Sequence, residues 1–239
     1  EAILRLAKES FKRITISFYK CININDIDDF RDALYTKWQD LLVFGRIYLA
    51  KEGINAQMSV PEHNWSLFID SLNIQDSLKG IPFKIAVEDD GKSFFKLTIK
   101  IRKKIVADGL SESDYAVTNV GRHLNAGQWN KAIDNGATVI DMRNHYESEI
   151  GRFKDAICPE VETFKEELPI VKDILRGKKN QPVLLYCTGG IRCEKASAYL
   201  KHHGFNDVCQ LHGGIIDYVR QIKRDKSIDN KFIGKNFVF

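Results

Sequence analysis

Pro182-Val183-Leu184-Leu185-Tyr186-Cys187-Thr188-Gly189-Gly190-Ile191-Arg192 runs from an apolar stretch into a cysteine, two glycines and an arginine, and a helix-like segment from Glu194 to His203 follows. A short apolar run bounded by turn residues reads as a buried strand, so Cys187 arrives at a strand end where a helix is about to start. A thiolate persists near neutral pH only in positive surroundings. This stretch can supply them in three ways. Backbone N–H groups can curl into an anion nest, the following helix presents its first N–H groups, and Arg192 adds a fixed charge. Gly189 and Gly190 let the backbone form a tight cradle, with Thr188 and Ile191 completing the loop. The stretch predicts covalent sulfur chemistry or phosphate transfer. The plain alternative is a core cysteine before an ordinary strand-to-helix turn.

Four residues stand between Cys187 and Arg192, one fewer than in the phosphate cradles of cysteine-dependent phosphatases. The shorter loop resembles the active loop of rhodaneses, where the cysteine carries a persulfide sulfur. Around it the second half of the chain alternates regularly. Val120–Asn125 leads into a predicted helix over 126–135, Val139–Arg143 is a buried strand, and 164–175 is a helix interrupted by Pro169. After the Val183–Cys187 strand come a helix ended by Gly204, a strand over Val208–Leu211, and a helix opened by Gly213-Gly214. Strands alternating with helices predict a parallel sheet with helices on both faces. Catalytic loops in such sheets sit at the carboxyl ends of strands, where Cys187, Asp141 and Arg143 all fall.

The first half reads differently. Ile14–Tyr19, Val43–Ala50, Ile54–Val60, Phe83–Val87 and Phe94–Val106 are β-rich. Between them Asp26–Trp38 is a helix with an acidic cap, its inward face Ile27, Phe30, Leu34 and Trp38. Pro61 is expected in the first turn of a second helix through Leu72, with Trp65, Phe68, Ile69 and Leu72 inward. The order βαββαβ predicts a ferredoxin-like α+β domain. The polar stretch 107–118 breaks the periodicity. The expected division is a ferredoxin-like domain over 1–110, a linker over 111–118, and a parallel-sheet α/β domain of rhodanese type over 119–239.

The chain has 239 residues, 44% hydrophobic and 28% charged, which is globular composition with room for two modest domains. Its net charge of +4 permits nucleic-acid binding without indicating it. Five cysteines at 21, 158, 187, 193 and 209 form no CxxC pair and no metal-ligand spacing. No secretory signal or membrane-length apolar run is visible. These features predict a cytoplasmic protein bound to no membrane and holding no metal. The first residue is Glu1, so a native start further upstream is expected. Oligomeric state is not legible.

Asp141-Met142-Arg143 with Glu147 and Gly151 resembles a first rhodanese signature, and Leu211-His212-Gly213-Gly214 its closing turn. Over the whole chain, Ile16–Lys20, Ala50–Gln57, Asp89–Phe94, Asp141–Glu147, Cys187–Lys195 and Phe232–Phe239 are similar to the bacterial tRNA uridine hydroxylase family. That resemblance implies an acylphosphatase-like N-terminal domain joined to a rhodanese domain. It also implies O2 as co-substrate, the anticodon loop of tRNA as partner, and 5-hydroxyuridine at wobble position 34 as product, with Cys187 catalytic. Family members continue beyond Phe239 into a cysteine-rich tail.

The remaining site candidates carry open alternatives. Arg192 is expected to act with Cys187. Arg143 could hold an anionic substrate group with Asp141 ordering the loop, or the two could be an architectural pair. Cys193 could resolve an oxidised Cys187 or simply pack its helix. Lys96, Lys100 and Arg102 alternate along one strand, as a phosphate-binding face or as charges protecting an edge. Lys51 and Asn55 could meet RNA or only make a turn. Tyr19 and Tyr48 could stack bases, whereas Phe18 reads as core. Arg13 and Asn55 match an acylphosphatase anion cradle by type only. No dinucleotide fingerprint is present. Three functions are carried forward: wobble-uridine hydroxylase, persulfide sulfurtransferase, and non-enzymatic RNA-binding module.

Overall fold

The computed structural model describes residues 4, 6, 8–86, 91–111 and 119–235. The expected linker, save Ser111, lies outside the described residues, as do Val87, Asp89, Asp90 and the motif from Asn236 to Phe239. The chain divides into two compact units, Glu1–Val106 and Ala107–Phe239. No helix among the described residues is long and apolar enough to cross a membrane.

The first unit contains β1 (Arg13–Cys21), α1 (Ile27–Asp40), β2 (Phe44–Ala50), β3 (Gly53–Pro61), α2 (Trp65–Ile74), β4 (Lys84–Ile85) and β5 (Leu97–Ile101). Its sheet order is β4-β1-β3-β2-β5. The first four strands pair antiparallel in the ferredoxin-like order, and β5 is added parallel to β2 at the edge. Strand alternation sends Ile16, Phe18, Ile47, Leu49, Ile54 and Met58 to one face. There they pack with Leu34 and Trp38 of α1 and Phe68 and Leu72 of α2. Ile27, Phe30, Trp65 and Ile69 are partly buried against the same core. The second helix starts later than the sequence predicts. Pro61 closes β3 with an extended ψ of 134°, and a turn of 3-10 helix at Glu62–Asn64 precedes Trp65. Proline's fixed φ suits a strand end as well as a helix start. Asp26 stands at the α1 N-cap without a side-chain cap bond; Asp28 and Asp29 supply the first-turn acids.

The second unit contains β6 (Arg122–Leu124), α3 (Ala126–Asp134), β7 (Thr138–Asp141), α4 (His145–Ile150), β8 (Gly151–Phe153), α5 (Phe164–Ile174), β9 (Val183–Tyr186), α6 (Ile191–His202), β10 (Val208–Leu211), α7 (Gly214–Arg224) and β11 (Phe232–Gly234). Its main sheet, β6-β10-β9-β7, is wholly parallel. Asp141 and Cys187 both fall at carboxyl ends of its strands. The sequence did not announce α4, β8 or β11. The two strands are three residues each and pair antiparallel with each other, Phe153 opposite Phe232, a non-local contact with no local signature. Helix α5 runs through Pro169 uninterrupted. Pro169 and Lys165 are both exposed, so water can satisfy the carbonyl that loses its helical donor. Lys195 of α6 makes a buried ion pair with Asp108 at 2.5 Å, which ties the start of this unit to its central helix.

Candidate active site

Cys187 follows β9 and is 1% exposed. Gly190, at φ +103°, occupies the α6 N-cap, and its N–H donates to Cys187 Sγ at 3.1 Å. Positive φ there is what lets the chain turn back onto its own sulfur. Burial alone would push this thiol up. It is outweighed by a hydrogen bond from the Cys193 thiol, by the Arg192 charge, and by the backbone N–H groups of Cys193 and Gly190, which together lower Cys187 to about 5. The same contact acts in reverse on Cys193. Burial and its bond to Cys187 hold that thiol well above its ordinary range. One sulfur is thus the anion and the other its donor. Cys193, fully buried, packs within α6 and lies against the Cys187 sulfur.

Arg192 is fixed from α4. Its Nη1 donates to Glu147 Oε2 at 2.9 Å, and its Nη2 to Glu147 Oε1 at 3.2 Å and Thr188 Oγ1 at 3.3 Å. Thr188 Oγ1 in turn donates to Glu147 Oε1 at 3.0 Å. Burial would raise the Glu147 carboxyl, but the bonds and charge of Arg192 keep it below its ordinary value. Glu147 also accepts the Asn144 N–H at 3.2 Å, capping α4. The sequence offered Glu147 only within the signature running from Asp141 to Gly151; the Asn-x-x-Glu spacing of a capping box also marks it, and its reach to Arg192 was not legible.

Asp141 and Arg143 spend their charges on each other. Nε donates to Oδ1 at 2.8 Å and Nη2 to Oδ2 at 2.6 Å, with neither side chain exposed. Arg143 Nη2 also holds the Gly151 carbonyl at 2.6 Å, and Tyr186 Oη donates to Asp141 Oδ2 at 2.5 Å. This is the architectural arrangement, joining β7, β8 and β9 beneath the loop. A further brace comes from α7. The N–H groups of Ile215 and Ile216 donate to the carbonyls of Cys187 and Thr188 at 3.0 and 3.2 Å. Gly214 sits so close that an added Cβ would lie 2.5 Å from both carbonyl oxygens.

Sequence reasoning missed Glu167. It is fully buried on α5, and neither carboxylate oxygen has a hydrogen-bond partner. Desolvation dominates, Arg192 opposes it, and the charges of Asp141, Cys187 and Glu147 add to it, so the carboxyl is raised to about 9. A neutral acid therefore sits within electrostatic reach of a thiolate. Only a folded neighbourhood reveals this, because an isolated Glu at an apolar helix position resembles many surface residues.

The other predicted residues lie in the first unit. Lys100 and Arg102 are exposed along and just beyond β5, Lys96 just before it, and Lys51 in the β2–β3 turn. Arg13 is taken up by Glu9 at 2.6 Å and by the carbonyls of Leu42 and Ser59 at 2.9 and 3.3 Å. Asn55 donates to the Ile105 carbonyl at 3.3 Å. Neither is free to cradle an anion as an acylphosphatase would. Among the described residues no group of three or more His, Cys, Asp or Glu could hold a metal ion.

Residues 13–105 match the UPF0176 acylphosphatase like domain, and residues 125–221 the Rhodanese-like domain. The tRNA uridine(34) hydroxylase of Leptospira interrogans is 55% identical over 236 residues, covering 98% of this chain and 64% of that protein. The proteins of the same name from Photorhabdus laumondii and Enterobacter sp. (strain 638) are each 48% identical over 237 residues, across 98% of this chain and 67% and 68% of their own lengths. The chain thus spans about two thirds of the curated relatives it matches. A rhodanese-like domain from Anabaena sp., solved by NMR, aligns at 19% identity and a TM-score of 0.36, over 47% of this chain and 79% of its own. With both domains matched in order and such identity sustained along nearly every residue, this chain belongs to the tRNA uridine(34) hydroxylase family.

Proposed function

We propose that this chain modifies tRNA by hydroxylating wobble uridine 34 to 5-hydroxyuridine, with Cys187 as the reacting group. The observation that carries the reading is a buried cysteine held ionised by Gly190, Cys193 and Arg192, in a chain whose relatives bear the name of that reaction. A thiolate can add to C6 of uracil and enrich C5, the atom that takes the hydroxyl. With O2 as co-substrate, one oxygen atom enters the base and the other leaves as water, which requires two electrons and two protons. Oxidation of the Cys187 thiolate and the Cys193 thiol to a disulfide releases two electrons and one proton, solvent supplies the second proton, and a thiol reductant returns the pair to its starting state, so Cys193 is the second redox residue of this proposal. Arg192 holds anionic groups at the loop. Asp141 and Arg143 act through the backbone they brace, as positioning residues. Lys51, Lys96, Lys100 and Arg102 are the proposed tRNA phosphate contacts. No resident cofactor is invoked.

Mass analysis of tRNA from a strain lacking the gene, complemented with the parent or with Cys187→Ser, tests this. Loss of the hydroxyl at U34, restored by the parent and not by the variant, is expected. Retention of 5-hydroxyuridine with Cys187→Ser overturns the assignment. The thiolate loop and the Rhodanese-like match also favour a second reading, persulfide transfer; loss of a thio group instead of a hydroxyl would select it. An unchanged tRNA would leave the non-enzymatic RNA-binding module.

A further inference from the structure

Glu167 is a buried acid beside the cysteine loop that the proposed reaction leaves unused. Its helix, α5, packs against α6, which carries Arg192 and Cys193. The residue is 0% exposed, and neither carboxyl oxygen has a hydrogen-bond partner among the described residues. An ionised carboxylate placed so would lack both water and donors, which costs far more than keeping a proton. The charges around it point the same way. Arg192 favours the anion, but its guanidinium already faces the Cys187 thiolate and is bonded to Glu147. The Arg143 guanidinium, just beyond β7, is bonded to Asp141, and the Lys195 ammonium of α6 to Asp108. Cys187, Glu147 and Arg192 are thus two anions facing one cation. Burial holds the Glu167 proton most strongly, Arg192 works against it, and the charges of Asp141, Cys187 and Glu147 add to burial.

We infer that Glu167 stores a proton for Cys187 and releases it when that sulfur gives up its negative charge. The inference rests on the proposed reaction and deepens it. In the reduced site Cys187 is the thiolate, Cys193 the thiol and Glu167 the neutral acid. Forming the Cys187–Cys193 bond removes two electrons, the Cys193 proton and the thiolate charge. Arg192 is then left with Glu147 alone. Glu167 ionises in place of Cys187, and its proton is the second of the two that accompany the electrons to O2. The site carries the same net charge before and after, as a buried site must where an uncompensated charge is costly. A thiol reductant that reopens the disulfide restores the thiolate, and Glu167 takes its proton back from solvent. Solvent therefore supplies that proton ahead of the next turnover. With no hydrogen bond to either sulfur, Glu167 acts through the charge balance around Arg192.

The test counts protons. The whole chain and its Glu167→Gln variant are equilibrated with reduced and oxidised dithiothreitol between about pH 6 and pH 8, above the Cys187 midpoint and below that of Glu167. The Cys187–Cys193 disulfide is quantified by mass after acid quenching and alkylation. Dithiothreitol gives up two protons as it is oxidised. The parent disulfide should take up two as it is reduced, so its equilibrium constant should stay level across this range. Glu167→Gln should take up one, so its constant should shift towards the reduced protein about tenfold per pH unit. A tenfold shift in the parent, or the same dependence in both proteins, overturns the inference. Infrared difference spectra of the parent should lose a protonated-carboxyl stretch on oxidation, a band missing from Glu167→Gln. A parent that keeps the stretch overturns the inference too, and this readout and the parent's own pH dependence decide the matter should the variant fail to fold. U34 hydroxylation by the parent separates the two claims. Hydroxylation with a tenfold shift per pH unit refutes the proton store alone. A level constant in a parent that leaves U34 unmodified refutes the proposed reaction alone. Cysteines 187 and 193 that cannot be joined refute both.

Discussion

Replacing Cys193 by Ala removes the thiol that donates to Cys187 and leaves Arg192 and the Gly190 N–H in place. The fall of Cys187 from 9.0 to about 5 corresponds to roughly 5 kcal/mol of preference for the thiolate, at about 1.4 kcal/mol per pH unit. A hydrogen bond to a charged group supplies about 1.5–3 kcal/mol of such preference. Its removal should therefore lift the Cys187 midpoint to roughly pH 6–7, taking a sulfur that is almost wholly ionised at neutral pH to one that is partly protonated. Thiolate ultraviolet absorbance, followed from acid to neutral pH, reads this without requiring a reagent to reach a buried site. Cys158, Cys193 and Cys209 are all pushed up by burial, so they do not intrude in acid. Cys187→Ser should abolish the transition and so assign it. A parent midpoint above neutral, or one that Cys193→Ala leaves unmoved, would refute the account of how this sulfur is ionised.

Two buried acids should give pH dependences of opposite sign. Cys187 has its folded value below its unfolded one, so its contribution is complete above about pH 9 and is lost as pH falls to about 5. In urea unfolding, the stability of the parent relative to Cys187→Ser should therefore grow across that window; a flat difference would contradict it. Glu167 is raised from 4.5 to about 9, so the folded state holds a proton that the unfolded state releases, and the parent should lose stability relative to Glu167→Gln as pH rises through that range. A parent-minus-variant difference that stays flat or rises with pH would remove the buried neutral acid. Gly214→Ala places a Cβ 2.5 Å from two loop carbonyl oxygens at φ +67°, and should cost at least about 2 kcal/mol while raising the Cys187 midpoint. Gly136→Ala, at φ +82° with nothing within 4 Å, is the control for backbone strain alone and should leave that midpoint untouched. Arg143→Met strands the Asp141 carboxylate in the interior and should cost about 3–5 kcal/mol in thermal unfolding; a loss below 1 kcal/mol would mean the carboxylate finds another partner.

The cysteine loop was legible because its signals are local. A strand end, two glycines, an arginine and a helix start are contiguous, and contiguity fixes their geometry within a few ångströms. The βαββαβ order and the parallel second sheet were legible for a similar reason: alternation and helical spacing record which face of each element is buried. Sequence by itself determined the strand-to-helix loop that carries Cys187 and Arg192, and the two kinds of sheet. It could not decide what holds Arg192, since Glu147 lies 45 residues away and its capping spacing says nothing of its second partner. Nor could it show that Asp141 and Arg143 consume each other's charge, that Gly214 braces the loop, or that Glu167 is buried without a partner. The pairing of β8 with β11 and the start of α2 at Trp65 escaped it as well. Each of these depends on contacts between residues distant along the chain, where burial and charge are set by neighbours that local pattern cannot name.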